Sequence, residues 1–149
     1  MKTKQFKMKP PYFVALFVVF SWLADIMLPE YGFEIDSKIG ISFIILALLI
    51  FAYAVHLFRK NKTPIVPGTK PEFMITEGTY RFSRNPIYLA MAIFLIGACL
   101  LFKNYISFVF PIMFLLIMDK YYISYEEKLL GSIFGNKYTS YKKKVRRWI

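Results

Sequence analysis

The chain has 149 residues, enough for one domain, and is 57% hydrophobic and 19% aromatic. A sphere this small could not hide so much apolar surface, which excludes an ordinary soluble domain. The formal net charge is +11, but the basic residues flank apolar blocks, so anionic lipid headgroups are nearer partners than nucleic acid.

Four apolar blocks have the length and composition of transmembrane helices, which need about 20 residues each. The first runs from Pro11 to Leu28. Its apolar run is too long for the core of a signal peptide, and no A-x-A site follows it. Asp25 lies near the outer end of this span, where a carboxylate reaches water. The second block is Ile39 to Phe58; His56 at its inner edge reads as an interfacial hydrogen bonder. The loop 59–85 follows, with Pro64, Pro67 and Pro71 blocking regular helix. Its apolar residues, among them Ile65, Val66, Phe73 and Ile75, predict packing rather than disorder, and loops of this length are often functional.

Pro86 suits a helix start and opens the third span, Pro86 to Phe102. Ala90 and Gly97 are seven residues apart on one stripe and invite close approach of a neighbouring helix. The single cysteine, Cys99, lies mid-span and reads as a buried, inert thiol. Only Lys103 and Asn104 separate this span from the next, so the two form a tight hairpin. The fourth apolar block, Tyr105 to Met118, continues without a breaker to Phe134. At ~1.5 Å per residue that helix is about 45 Å long, against a hydrocarbon core of about 30 Å. Its last turns must leave the membrane. Pro111 is placed to kink it, and Gly135 fits the stop position.

Lys and Arg number four in residues 1–10, six in 59–85 and eight from Asp119 onward; eighteen of the twenty therefore fall on one side of a chain that crosses four times. The positive-inside rule places both termini and the long loop in the cytoplasm. The expected architecture is all-α: a single domain, 1–149, of four spans, with a cofactor region made of 59–85 and 119–149 at the cytoplasmic face.

Two polar groups leave the membrane on that side. One is the stretch GTYRFSRNPIYLA, Gly78 to Ala90. The other is the projecting helix, where Asp119, Tyr122 and Glu126 share a face at i, i+3 and i+7 and Glu127 lies one residue round. An acidic face opposite an Arg/Asn/Tyr face makes a polar pocket suited to a ligand carrying both charges. The plainer reading is that Arg81 and Arg84 pair with lipid phosphates while the carboxylates solvate the helix.

The stretch 78–90 resembles the first motif of the isoprenylcysteine carboxyl methyltransferase superfamily, which includes phospholipid methyltransferases. That motif reads G-x-Y-R-x-x-R-[H/N]-P-x-Y-x-G; Gly78, Tyr80, Arg81, Arg84, Asn85, Pro86 and Tyr88 match it. A second motif, E-E-x-x-L and then F-G-x-x-Y-x-x-Y-x-x-x-V-x-R, resembles Glu126, Glu127, Leu130, Phe134, Gly135, Tyr138, Tyr141, Val145 and Arg147. The likeness covers roughly residues 39–149. Asn85 stands where eukaryotic members carry histidine, and Asn does not titrate near neutrality. Ala90 stands where the motif has glycine.

The resemblance implies a membrane methyltransferase using S-adenosylmethionine, with Arg84, Glu127 and Arg147 as catalytic groups. It implies Tyr80, Arg81, Asn85, Pro86, Tyr88, Glu126 and Tyr138 around the cofactor; no metal is expected. Chemistry agrees on three roles: a carboxylate such as Glu126 for the amino group, Arg84 for the carboxylate, and the Tyr80/Tyr88 pair as walls for adenine. An amine acceptor would need a base, for which Glu127 is nearest. The expected acceptor is lipidic or a small hydrophobic molecule reached from membrane lipid, with isoprenylcysteine-like O-methylation favoured over phospholipid N-methylation. Oligomeric state stays open. The rivals are a small four-span transporter, which would want an ionisable residue mid-span and finds none, and an interaction protein that has lost catalysis.

Overall fold

The computed structural model describes residues 8–149; Lys2, Lys4 and Lys7 of the basic N-terminal stretch lie outside them. Helix α1 spans Pro10–Met27 and α2 spans Ser37–Lys60. Proline at the first position of α1 needs no N–H partner, and the Asp36 side chain caps α2 by accepting from Lys38 N at 2.9 Å. Helix α3 is Pro86–Phe102, as its apolar block predicts. A 3-10 turn, Tyr105–Phe108, leads into α4, Val109–Ile117. A π turn, Met118–Ile123, joins α4 to α5, Ser124–Phe134, and α6 is Asn136–Lys144. Among the described residues no strand forms beyond one isolated bridge, Gly32 to Asn104.

Three of these stretches are long and apolar enough to cross a membrane: Pro10–Met27, Ser37–Lys60 and the continuous Tyr105–Phe134; Pro86–Phe102 is apolar and 17 residues long. Their outward faces carry large apolar side chains, including Leu49 at 65% and Leu116 at 64% exposure. Water would penalise such a belt and hydrocarbon would not. The chain has the construction of an integral membrane protein.

One end of the bundle is tied by Asn104, which is fully buried. Its amide donates to the carbonyls of Ala24 and Leu28, and its oxygen caps Ile106 N. Phe33 N donates to Lys103 O at 2.9 Å, joining the α1–α2 loop to the α3–α4 turn. Those two connections share one end, so the start of α1, the end of α2, the start of α3 and the end of α5 gather at the other.

The most extensive helix pairing is α2 with α3, and Gly97 explains it. A Cβ there would stand 2.9 Å from Gly40 O and 2.8 Å from Ile44 Cγ1. Gly97 is therefore a close-approach point between the two helices, and its partner Gly40 is a residue the spacing alone did not single out. A second cluster, Phe17, Tyr88, Leu95, Phe114 and Met118, locks α1, α3 and α4 together. Cys99 is buried and donates to Ser107 O. His56 is exposed and stacks on Tyr53.

The fourth helix departs from expectation at two points. Pro111 falls in the first turn of α4, where its missing N–H is not needed, so it is not the source of irregularity. That source is the π turn. Gly135 stops α5 as predicted, at φ +49°.

Candidate active site

At the end where α3 begins, the loop 61–85 folds back as a wall. Ile75 and Tyr80 are buried against Ala54 and Leu57 of α2. Gly78 sits at φ +58°, and a Cβ there would be 2.7 Å from Tyr53 Cε1, so both its backbone and its contact need glycine. It starts a 3-10 turn, Gly78–Arg81, that turns the Tyr80 ring inward, edge-on to Phe58. The Tyr80 carbonyl accepts from the Tyr141 hydroxyl at 2.6 Å, tying the turn to α6.

The next residues are strapped by the C-terminal segment. Arg84 N donates to Arg146 O at 3.0 Å, and Asn85 Nδ2 donates to Arg147 O at 2.9 Å. Ser83 Oγ accepts from Asn85 N and reaches Arg147 O at 3.4 Å. Asn85 is thus a strap holder: its amide is spent on backbone.

The Arg84 side chain is only 8% exposed. Its Nη2 lies 3.0 Å from Glu127 Oε1, while its Nε and Nη1 are buried and have no hydrogen-bond partner. Glu127 is shared by three cations: Arg84, Arg147 at 2.7 Å, and Lys142 at 3.4 Å. That grouping favours the ionised carboxylate and makes Glu127 a poor proton acceptor. Glu126 differs. Among the described residues its carboxylate has one hydrogen bond, from the Tyr88 hydroxyl at 2.8 Å.

These groups line a cavity of about 310 Å³. Arg84, Glu126 and Glu127 form its polar side; Phe51, Ile65, Val66 and Met91 belong to its apolar walls. Lys9, Pro10 and Pro11 also line it, so the start of α1 shares this end with α5. Dipolar recognition and an apolar wall side by side suit an amphipathic ligand.

Residues 35–137 match the model of the phospholipid methyltransferase family. This chain belongs to that family. It is 34% identical over 79 residues to a protein-S-isoprenylcysteine O-methyltransferase of Schizosaccharomyces pombe, covering 51% of this chain and 32% of that protein. With protein-S-isoprenylcysteine O-methyltransferase B of Arabidopsis thaliana it shares 28% identity over 114 residues, 73% of this chain and 56% of the relative. It is also 36% identical over 63 residues to an uncharacterized protein of Haemophilus influenzae, covering 42% of this chain and all of that one. This chain therefore spans about a third to somewhat over half of the two named methyltransferases. A solved structure of a eukaryotic intramembrane Ras methyltransferase, isoprenylcysteine carboxyl methyltransferase, superposes with a TM-score of 0.77 at 23% identity, over 97% of this chain and 53% of that one. The two share a fold.

Within this phospholipid methyltransferase family chain, the expected site residues divide. Arg84, Asn85, Tyr80, Tyr88, Glu126, Glu127 and Tyr138 line the cavity. Arg81 is exposed, because the 3-10 turn that brings Tyr80 inward points its neighbour out. Pro86 is buried as the first residue of α3 and is not part of the cavity wall. Arg147 also stands outside the wall. Its Nη2 and Nε grip both Glu127 oxygens, and its Nη1 takes both Asp119 oxygens at 3.0 Å each. The Glu127 contact, against burial, holds its guanidinium above the ordinary arginine range.

The shared face of Asp119, Tyr122 and Glu126 does not form. A π turn bonds i to i+5 and takes an extra residue, so the direction of Asp119 returns at Glu127 and not at Glu126. Asp119 faces Arg147 and Trp148, whose indole donates to it at 3.2 Å. Tyr122 is buried and donates to Met8 O. Sequence reasoning missed Ser83 and Lys142 as partners, and Trp148; no spacing rule links them to residues 15 or more positions away.

Proposed function

We propose that this chain is an S-adenosylmethionine-dependent methyltransferase of the membrane, acting on a lipidic acceptor that carries a carboxylate, as an isoprenylated cysteine does. The observation that carries the reading is Arg84: a buried guanidinium with two N–H groups unpaired beside a cavity. Burying unpaired donors costs free energy, and a carboxylate is the group an arginine fork fits best. Glu126, opposite in charge and with only Tyr88 as partner, complements an ammonium. Together they match the two ends of an amino-acid zwitterion.

Bound there, S-adenosylmethionine supplies an electrophilic methyl group on a sulfonium. Arg84 would hold the amino-acid carboxylate and Glu126 the amino group, with Tyr80 and Tyr138 as ring walls. The apolar walls exclude water. Loss of opposite charges on sulfonium and acceptor carboxylate is favoured in such surroundings, and alignment of the two partners supplies the rest of the acceleration. A carboxylate acceptor needs no base, which fits a Glu127 already committed to three cations. Four crossings with the cavity on the cytoplasmic side complete the proposal, supported by the charge distribution and by the shared end of Lys9, Asn85 and Glu126.

The test is transfer of labelled methyl from S-adenosylmethionine by the purified chain in lipid vesicles, to a panel of prenylcysteine mimics and to total membrane lipid. Label in a base-labile ester of the mimics is the expected result. Label confined to lipid amines would replace the acceptor, and no transfer with no cofactor binding would defeat the reading.

A further inference from the structure

Arg147 uses all three guanidinium nitrogens and its carbonyl, yet stands behind the cavity wall. Nε and Nη2 cover the two oxygens of Glu127 at 3.1 and 2.7 Å. Nη1 is held by Asp119, whose other neighbour is the Trp148 indole. The Arg147 carbonyl receives Asn85 Nδ2 and Ser83 Oγ, the residues on either side of Arg84. One residue thus fixes Arg84 from the backbone side and Glu127 from the far side.

The consequence concerns the Arg84–Glu127 pair. A free carboxylate takes an arginine with both oxygens in two parallel bonds. Here Arg147 and Lys142 already claim Glu127 Oε2, and Arg147 Nε also claims Oε1. Arg84 is left with one contact, Nη2 to Oε1, and its Nε and Nη1 stay unpaired. We propose that Arg147 is a positioning residue that keeps Glu127 from saturating Arg84, so that two Arg84 donors remain available to an anionic group of the ligand in the cavity. The proposal rests on the reading of the cavity as the cofactor and acceptor site. It assigns Arg147 no contact with ligand, in contrast to the catalytic role that the motif implies.

Calorimetric binding of S-adenosylmethionine to the full chain in detergent tests it. In Arg147→Gln, Glu127 turns to Arg84 and affinity falls roughly tenfold, the scale of one charge-assisted hydrogen bond. Arg147→Lys keeps the charge but cannot cover two carboxylates, and affinity falls in the same direction. The double variant Arg147→Gln/Glu127→Gln binds no more weakly than Arg147→Gln alone, since the competitor for Arg84 has been blunted. Docking of the strap is read separately from Trp148 emission in a Trp22→Phe background, and stays native in Arg147→Lys. Affinity equal to the parent chain in both single variants overturns the proposal while leaving the cofactor reading intact. So do losses that add in the double variant, which would mark Arg147 as a purely structural brace. A parent chain that binds no S-adenosylmethionine removes the cofactor reading and this inference together.

Discussion

The Tyr88 hydroxyl donates to Glu126 Oε1 at 2.8 Å, across 38 positions of sequence and from the first turn of α3 to the first turn of α5. Among the described residues this is the carboxylate's one hydrogen bond, and it orients Glu126 at the cavity wall. Glu126→Ala should weaken S-adenosylmethionine binding ten- to a hundredfold, the equivalent of about 1.5–3 kcal/mol. Tyr88→Phe should act in the same direction and less strongly, because it releases the carboxylate without removing it. Calorimetry on the two variants checks both; unchanged affinity for Glu126→Ala in folded protein would make the side chain a bystander.

Arg84 combines one buried ion pair with two unpaired donors. Arg84→Lys keeps the charge and loses the fork, so turnover should fall by roughly tenfold or more if a charge-assisted bond to ligand goes with it. Asn85→His should keep most activity: the donor to Arg147 O can be supplied by an imidazole N–H. Steady-state methyl transfer by the two variants side by side decides the point. An inactive but folded Asn85→His would break the match between Asn85 and the family's histidine position.

Two glycine substitutions should have opposite effects on stability. Gly97→Ala forces a methyl to within 2.9 Å of Gly40 O and 2.8 Å of Ile44 Cγ1, an overpacking that costs about 1–3 kcal/mol. Gly131→Ala in α5 meets nothing closer than Tyr138 Cδ1 at 3.8 Å, and should gain up to about 1 kcal/mol from helix propensity. Thermal unfolding in detergent would show the midpoint falling for the first and holding or rising for the second.

The charge distribution makes a topological forecast. With Lys9 and the basic C-terminal segment on the cavity side, an impermeant maleimide applied to intact cells should label Glu34→Cys and leave Ile149→Cys unlabelled. Cys99 is fully buried and can remain. Labelling at position 149 from outside would invert or break the four-span arrangement.

The sequence by itself determined which stretches are apolar helices, where α3 starts and where α5 stops. Apolar block length, Pro86 at a helix start and Gly135 at a stop are local properties of the chain, and they hold whatever the neighbours do. The Tyr80, Arg84 and Glu126 positions were legible because two short motifs sit at the ends of a helical hairpin. Tertiary structure decided the partners. Arg147 lies beside Glu127 and Asp119, and not in the cavity, because the C-terminal segment is strapped across the start of α3. Gly40 matters only because Gly97 of another helix meets it. The pairing of Asp119 with Glu127's partner follows from one π turn: helical periodicity presumes uniform winding, and a single extra residue per turn moves every later side chain to a different face.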